Sequence, residues 1–372
     1  MRKRKMKNLG TAGYKLLTPG PLTTTETVKE VMLFDHCTWD DDYKEITQKI
    51  RRDLLKLAQV EETEYTTVLM QGSGSFGVES VLGSVVPKDG CVLLLSNGAY
   101  GERAAKMCSY YEIPCIHVKQ DYNKTPDANG AEELLKTHPE ITHIMMIHSE
   151  TTSGILNDIE SIGKLAEAYG KVFIVDAMSS FAGVEIPVKD WYIDFLISSA
   201  NKCIQGVPGF SFIIANRVLL MESKGRARSL CLDLYDQWAG MEKDGKWRYT
   251  SPTHVVLAFE QAMKELEQEG GIKARHARYQ KNMDTLVENF ENLGFRLYVD
   301  KAWQGPIIAT FLYPEGKHFD FQEMYAYIKE RGYAIYPGKL TDADTFRIGV
   351  IGEIYEEDVL RLTEIMKSYM EQ

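Results

Sequence analysis

The stretch from Lys171 to Gly209 constrains the fold of this 372-residue chain more than any other part of it. It contains two short apolar runs, Val172–Val175 and Phe195–Ile197. Asp176 ends the first run, and Lys202 follows the second after a polar Ser-Ser-Ala-Asn step. Buried parallel strands have the form of such runs, and ligands bind beyond their carboxyl ends. The pattern therefore predicts two neighbouring strands that bring a carboxylate and an amine into one crevice.

An acid and an amine in one crevice are what pyridoxal phosphate chemistry requires. A lysine can hold the aldehyde of this cofactor as an imine, and a carboxylate can keep its pyridine nitrogen protonated. Lys202 and Asp176 are the candidates for these roles. Taken alone, each has an ordinary explanation, with Asp176 as a helix cap and Lys202 as a surface lysine. The spacing of the pair, and the Gly-Val-Pro-Gly loop that follows, favour the cofactor.

Apolar runs alternate with helical patterns from about Glu64 to Phe212. Strands that alternate with helices in this way predict an α/β fold with a mainly parallel, doubly wound sheet of seven strands. The strand candidates are TTVLMQ, CVLLLS, CIHV, HIMMIH, KVFIVD, DFLISS and FSFIIA, and the helix candidates between them are SFGVESVLGSVV, GERAAKMCSYY, GAEELLKTHP and SIGKLAEAYG.

After about Pro252 the pattern changes to a long helical tract, followed by mixed strands and helices. The strand candidates there include FRLYV, PIIATFLY, YAIYPG and TFRIGVI. We therefore expect a large domain at 31–255 and a smaller α+β domain at 256–372. The N-terminal segment 1–30 is expected to join the smaller domain across the mouth of the site.

Composition and charge argue against several classes of protein. The net charge of −10 argues against a nucleic-acid partner, and no apolar run approaches the roughly 18 residues of a membrane span. The basic start MRKRKMKN precedes no apolar stretch, so we expect a solvated tail rather than a secretory signal. Six scattered cysteines form no CxxC pair, and eight histidines form no HExxH motif. We therefore expect no metal site, and reduced thiols in a cytoplasmic enzyme.

A glycine-rich turn, QGSGSFG at residues 71–77, joins a predicted strand to a predicted helix. It fits the dinucleotide pattern G-x-G-x-x-G, but that pattern also needs an acid at the end of the next strand, which here ends in Ser96 and Asn97. Ser73, Gly74 and Ser75 at a helix N-terminus suit a single phosphate better. Ordinary turn chemistry is the alternative.

Three further positions are candidates for contacts with a cofactor or substrate. Tyr100 follows the predicted strand CVLLLS and could stack on a flat ring, although an exposed loop tyrosine is the alternative. The segment His148–Gly154 offers hydroxyls for a phenolic oxygen, or a helix cap. Arg347 alternates with apolar neighbours in a short strand, where its fork of donors suits a carboxylate or phosphonate. A structural salt bridge is the alternative there.

Together these residues resemble the family of 2-aminoethylphosphonate:pyruvate aminotransferases, within the fold type I, class V pyridoxal phosphate enzymes. The likeness runs from Leu16 to the carboxyl end of the chain. It rests on long strings: LLTPGPLTTT, MLFDHCTWDDDY, LMQGSGSFGVESVLGS, SNGAYGER, HSETTSG, VDAMSSF, LISSANKCIQGVPGF, RSLCLDLYDQW, GKWRYTSPTHVVLAF, YPGK and FRIGVIGE.

The resemblance implies that Lys202 is the Schiff-base lysine and that Asp176 is the partner of the pyridinium nitrogen. It implies further contacts with the cofactor and substrate: Tyr100 with the ring, Thr152 with the phenolic oxygen, Ser73, Gly74, Ser75 and Asn201 with the phosphate, Thr250 with the phosphate in the neighbouring subunit, Arg347 with the substrate anion, and Gly20 in the same substrate pocket.

The implied activity moves an amino group from 2-aminoethylphosphonate to pyruvate by a ping-pong mechanism, in a homodimer with shared active sites. One alternative is a class V enzyme of other specificity, such as an alanine–glyoxylate or serine aminotransferase or a cysteine desulfurase. Desulfurases usually carry a histidine over the ring, where this chain has Tyr100. The other alternative is a binding or regulatory protein with the same fold. Loss of Lys202 or Asp176 would indicate such a protein, and both residues are present.

Overall fold

The computed structural model describes residues 13–314, 319–338, 340 and 343–371. The basic tail, and Lys339 of the YPGK string, lie outside the described residues. The helices are α1 (Glu26–Glu30), α2 (Asp41–Leu57), α3 (Gly74–Val85), α4 (Ala99–Tyr110), α5 (Ala128–Thr137), α6 (Ile159–Ala168), α7 (Arg217–Glu222), α8 (Leu234–Asp244), α9 (Thr253–Glu269), α10 (Gly271–Asn292), α11 (Phe321–Glu330) and α12 (Glu356–Met370). The strands are β1 (Lys15–Leu16), β2 (Tyr65–Gln71), β3 (Cys91–Ser96), β4 (Cys115–Lys119), β5 (Ile141–Ile147), β6 (Ser149–Glu150), β7 (Ile155–Leu156), β8 (Val172–Asp176), β9 (Phe195–Ser199), β10 (Phe210–Asn216), β11 (Arg296–Leu297), β12 (Ile308–Leu312), β13 (Tyr333–Ala334), β14 (Tyr336–Pro337) and β15 (Thr345–Gly349).

A seven-stranded sheet forms the centre of the larger half, in the order β2-β10-β9-β8-β5-β3-β4. The pairs β3–β4, β3–β5, β5–β8 and β8–β9 are parallel, and β10 is antiparallel to both of its neighbours. All seven predicted strands and the four helices predicted between them are present, which confirms the α/β fold with a mainly parallel sheet. Because β10 alone is reversed, the carboxyl ends of the other six strands lie along one edge of the sheet.

Apolar side chains cover both faces of this sheet. Alternate residues of β3 point to opposite sides, so that Leu93 and Leu95 belong to one buried cluster while Val92 and Leu94 belong to the other. This explains why the strands read as continuous apolar runs rather than as an alternating pattern.

The second half contains a four-stranded sheet in the order β11-β12-β15-β14, with its own apolar core. Two strand predictions differ from the structure in this region. The run FRLYV pairs only at Arg296–Leu297. The run YAIYPG divides around the buried Ile335 into β13, which pairs with β1, and β14, which pairs with β15. The two parts pair with strands of different sheets, so pairing partners rather than local pattern decide the break.

The segment that precedes α1 attaches to this second half. Strand β1 runs parallel to β13, and the Gly349 N–H donates to the Leu17 carbonyl at 3.0 Å. Helix α9 packs instead on the seven-stranded sheet, where Phe259 meets Phe210 with ring centroids 5.0 Å apart. The predicted domain boundary between residues 255 and 256 falls within α9, and it stays a prediction. Within the described residues, no helix is long and apolar enough to span a bilayer.

Candidate active site

Most of the predicted site residues converge at the edge of the sheet where the six strands end. A cavity of about 190 Å³ opens there. Seven of the eleven residues predicted from the sequence line this cavity: Ser73, Gly74, Ser75, Tyr100, Asp176, Asn201 and Lys202. They lie at or just beyond the carboxyl ends of strands β2, β3, β8 and β9, so the direction of the strands brings together residues that are far apart in sequence.

Asp176 is the last residue of β8 and pairs with Ile147 of β5 and Ile197 of β9. Its side chain is buried, and Oδ1 accepts a hydrogen bond from the Met178 N–H at 2.9 Å. Loss of hydration raises the pKa of this carboxyl from 3.8 to about 6, although the Met178 hydrogen bond opposes the rise. Asp176 does not cap a helix, since no helix begins here. A cation placed beside a buried carboxylate of this kind stabilises its charged form.

Lys202 lies three residues beyond the end of β9, and its Nζ donates to the Pro19 carbonyl at 2.8 Å. Burial lowers the pKa of its ammonium group, which favours the neutral amine that acts as a nucleophile or base. Gly20 lies directly against it. A Cβ on Gly20 would fall 2.7 Å from Lys202 Cδ and 2.9 Å from the Asn201 carbonyl oxygen, and the φ of Gly20 is 112°. The N-terminal segment therefore covers the lysine, and only glycine fits at the contact.

The N-terminus of α3 points into the cavity. A Cβ on Gly77 would lie 2.7 Å from Ser211 Oγ, so the absence of a side chain lets this helix pack closely on the sheet. Ser73 is the N-cap residue, but its side chain makes no capping hydrogen bond. Its hydroxyl and the first N–H groups of α3 can therefore receive an anion. Gly74 approaches the Met178 side chain so closely that a Cβ would overlap it.

Tyr100 lies in the first turn of α4, and Thr152 lies in the turn of the β6–β7 hairpin. The Ala99 N–H donates to Thr152 Oγ1 at 3.2 Å, which links these two segments. The helix-cap alternative for the segment His148–Gly154 is wrong, because the hairpin intervenes and Asp158 caps α6 by accepting from the Ser161 N–H at 3.0 Å.

Arg347 lies in β15 and is buried. Its Nε donates to the Pro337 carbonyl at 3.0 Å and its Nη1 donates to the Thr151 carbonyl at 2.9 Å. Thr151 itself lines the cavity. Two carbonyls therefore orient the guanidinium, and the second Nη remains as a donor for an anion.

Thr250 lies apart from the cavity of its own chain and is exposed. It does not cap the following helix, because the N-cap of α9 is Pro252. The neighbouring Ser251 is buried, and its hydroxyl lies 2.6 Å from the Tyr43 hydroxyl.

Two charged residues at this site were missed by sequence reasoning. Arg103 lines the cavity, donates to Ser75 Oγ at 2.9 Å and places its guanidinium 5.1 Å from the centre of the Tyr100 ring. Its position three residues after Tyr100, on the same face of α4, was the available signal. Glu150 is fully buried and accepts from the Thr152 N–H at 2.9 Å. No periodic pattern marks it, because it lies in a two-residue strand.

Known proteins resemble this chain in sequence and in fold. The profile of the class-V aminotransferases matches residues 36–361, so the chain belongs to this family. It is 55% identical over 359 residues to the 2-aminoethylphosphonate–pyruvate transaminase of Lysinibacillus sphaericus, which covers 96% of this chain and 98% of that protein. It is 56% identical to the protein of the same name from Bacillus cytotoxicus, with 94% of this chain and 96% of that protein covered.

The fold also matches that of an alanine–glyoxylate aminotransferase from Nostoc sp., with a TM-score of 0.90 and 23% identity over 98% of this chain and 97% of that one. Enzymes of this family use pyridoxal phosphate. The described residues fit that cofactor, because a buried carboxylate, an amine, an aromatic ring and a helix N-terminus face one cavity. Ser149 and Ser199 also fit, since both line the cavity and their buried hydroxyls lack a partner within the described structure.

Proposed function

We propose that this chain transfers the amino group of 2-aminoethylphosphonate to pyruvate, giving phosphonoacetaldehyde and L-alanine. The observation that carries the proposal is the 55% identity, over nearly the whole chain, to a transaminase of that name. The site is consistent with it, because a buried arginine held by two carbonyls suits a small anionic substrate.

Residues of this chain would hold the cofactor at both ends. Lys202 would bind its aldehyde, Asp176 its ring nitrogen and Thr152 its phenolic oxygen, while Tyr100 would stack on the ring. Ser73, Gly74, Ser75 and Asn201 would surround the phosphate. When bound, pyridoxal phosphate supplies an electron sink for the carbon that carries the amino group.

Lys202 would act as the base and acid of the reaction. Its amine, displaced by the incoming substrate amine, would take a proton from the substrate carbon and pass it to the cofactor carbon that carried the aldehyde, and it would move a proton in the opposite direction in the second half-reaction. Burial lowers the pKa of its ammonium group, which favours the neutral amine that accepts that proton. Asp176 favours a proton on the nitrogen beside it, because burial leaves its carboxylate short of hydration.

Arg347 and the N-terminal segment would bind and orient the substrates. The two substrates bind in turn, so one site accepts a phosphonate and then a carboxylate. Arg347 can offer the N–H donors of its second Nη to either anion. Gly20 and Pro19 cover Lys202 and keep water from its amine during transfer.

The proposal includes a homodimer in which Thr250 reaches the cofactor phosphate of the neighbouring subunit. It is supported by the exposure of Thr250 and by the lack of a capping role for it on α9. Mixing Lys202→Ala chains with Thr250→Ala chains tests this arrangement after subunit exchange. Activity per bound cofactor above that of either parent supports a shared site, whereas a simple average of the parents contradicts it.

We also assign the protein to the cytoplasm, since its six cysteines are free thiols.

A panel of matched amines and acceptors tests the activity. Alanine formation from pyruvate should be fastest with 2-aminoethylphosphonate, and slower with β-alanine and taurine, which carry a carboxylate and a sulfonate on the same two-carbon chain. A higher kcat/KM for alanine with glyoxylate would instead support the alanine–glyoxylate specificity.

A further inference from the structure

A buried arginine donates hydrogen bonds to the backbone of the loop that carries Lys202. Arg275 of α10 is 2% exposed, and its Nη1 donates to the Cys203 carbonyl at 2.8 Å and to the Ile204 carbonyl at 3.2 Å. The loop needs such support, because the backbone of Gln205 has a φ of 71°, which residues other than glycine rarely adopt. None of the steps described above uses Arg275.

A second arginine, Arg278, lies almost one helical turn further along α10. Its Nη1 donates to the Gly352 carbonyl at 2.7 Å and to the Ile354 carbonyl at 2.9 Å. These carbonyls belong to the loop that directly follows β15, the strand of Arg347. Arg278 therefore holds the loop that follows the strand of Arg347, as Arg275 holds the loop that follows Lys202.

One carboxylate joins the two arginines. Glu269, the last residue of α9, accepts from Arg275 Nε at 2.8 Å and lies 2.7 Å from Arg275 Nη2. It also accepts from Arg278 Nε at 2.7 Å and from Arg278 Nη2 at 3.2 Å. Burial opposes ionisation of Glu269, but the two arginines outweigh it and lower the pKa of this carboxyl. The shared carboxylate fixes the orientation of both guanidinium groups relative to each other.

The lysine loop also contacts the loop after β15 directly. The Gln205 side-chain amide donates to the Tyr279 hydroxyl at 2.6 Å and to the Gly352 carbonyl at 3.1 Å. The lysine loop and the loop after β15 are thus tied to each other and to one face of α10.

We propose that Arg275, Glu269 and Arg278 form a positioning unit that sets the distance between the Lys202 amine and the anion bound by Arg347. The assignment rests on the proposed function. A short substrate with its amine at one end and its anion at the other tolerates little change in that distance. An error of about 1 Å in such a geometry can cost on the order of 100-fold in rate.

The two ends of the unit should give different kinetic effects. Arg275→Met removes the support of the lysine loop. The single-turnover rates of both half-reactions, and with them kcat, should fall by about 10- to 100-fold while KM changes little. Arg278→Met loosens the segment beside Arg347, so KM should rise for the phosphonate and the carboxylate alike. Arg275→Lys, which keeps a donor for the carbonyls, should recover part of the kcat. Glu269→Gln, which weakens both ends, should show both effects.

Hydrogen exchange tests the physical basis without any turnover. In the cofactor-free protein, Arg275→Met should lose protection in the peptide that contains the Gln205 amide, which donates to the Lys202 carbonyl at 2.7 Å. Arg278→Met should lose it at residues 350–354. The matched control is Arg228→Met, because Arg228 also donates to backbone carbonyls, those of Val86 and Pro87, outside this unit. It should leave both peptides and both kinetic constants unchanged.

The outcomes separate this proposal from the proposed function. If the wild-type protein does not act on 2-aminoethylphosphonate, the activity is wrong, and the exchange data still report on the positioning unit. If both arginine variants fold and show the same kinetic pattern as each other, or if exchange at the lysine loop is unchanged in Arg275→Met, the positioning unit is refuted.

Discussion

Replacing Asp176 with Asn should stabilise the cofactor-free protein at neutral pH even as it impairs the site. The carboxyl group is buried, and burial raises its pKa from 3.8 to about 6. In the unfolded chain the group regains its ordinary pKa. Folding therefore has to bury a charge at neutral pH. Asn has nearly the same shape and can still accept the hydrogen bond from the Met178 N–H, but it carries no charge.

The size of the effect follows from the shift in the pKa. A shift of about two units corresponds to about 3 kcal/mol at roughly 1.4 kcal/mol per unit. The sign follows from linkage, because a raised folded-state pKa contributes stability at low pH that is lost as the pH rises from about 4 to about 6. The amide that replaces the carboxyl group does not titrate. The advantage of Asp176→Asn should therefore grow by about 1.4 kcal/mol between about pH 5 and about pH 8.

Urea denaturation of the cofactor-free proteins at both pH values measures this difference. The exposed Asp121→Asn serves as the control for removal of one negative charge, and an equal gain in stability in this control would indicate an effect of net charge rather than of burial. Added pyridoxal phosphate should reverse the order at pH 8, because Asp176 gains a cationic partner and binding stabilises the folded state. An Asp176→Asn protein that is no more stable than the wild type at pH 8, or whose advantage is equal at both pH values, would refute the argument.

Three substitutions test other parts of the site. Lys202→Ala should lose the borohydride-reducible adduct with pyridoxal phosphate and nearly all turnover, and a full yield of adduct would exclude the assignment. Arg347→Lys keeps the charge but not the fork, so kcat/KM should fall by about tenfold or more for both substrates; impairment with only one of them would indicate separate anion sites. Gly20→Ala should reduce the borohydride-reducible yield, because its Cβ would meet Lys202 Cδ at 2.7 Å with φ at 112°, and a yield equal to that of the wild type would show that the segment gives way.

The arrangement of the large sheet was predictable because local patterns encode it. Each strand buried on both faces is a short apolar run, and each crossover helix shows its own periodicity. The parallel direction then places the residues after different strands at one edge. For this reason Asp176 and Lys202 could be assigned to one crevice, 26 positions apart, from the sequence.

Contacts that depend on packing between distant segments were not predictable in this way. Gly20 contacts Lys202, which lies 182 positions further along the chain, and Arg275 of α10 donates to the backbone of the lysine loop. The break of YAIYPG at Ile335 depends on two different partner strands. Such contacts leave no periodic signal in the chain, because many packings of the same elements are compatible with the same pattern.

The sequence by itself therefore determined the class of fold and the chemical groups that this protein brings to its site. The tertiary structure decided how those groups face one another: which carbonyls orient Arg347, which segment covers Lys202, and that Arg103 enters the cavity beside Ser75. The physical reason is one of range. Periodicity and strand direction are set by neighbouring segments of the chain, whereas the distances between side chains at a site depend on how whole helices and sheets pack.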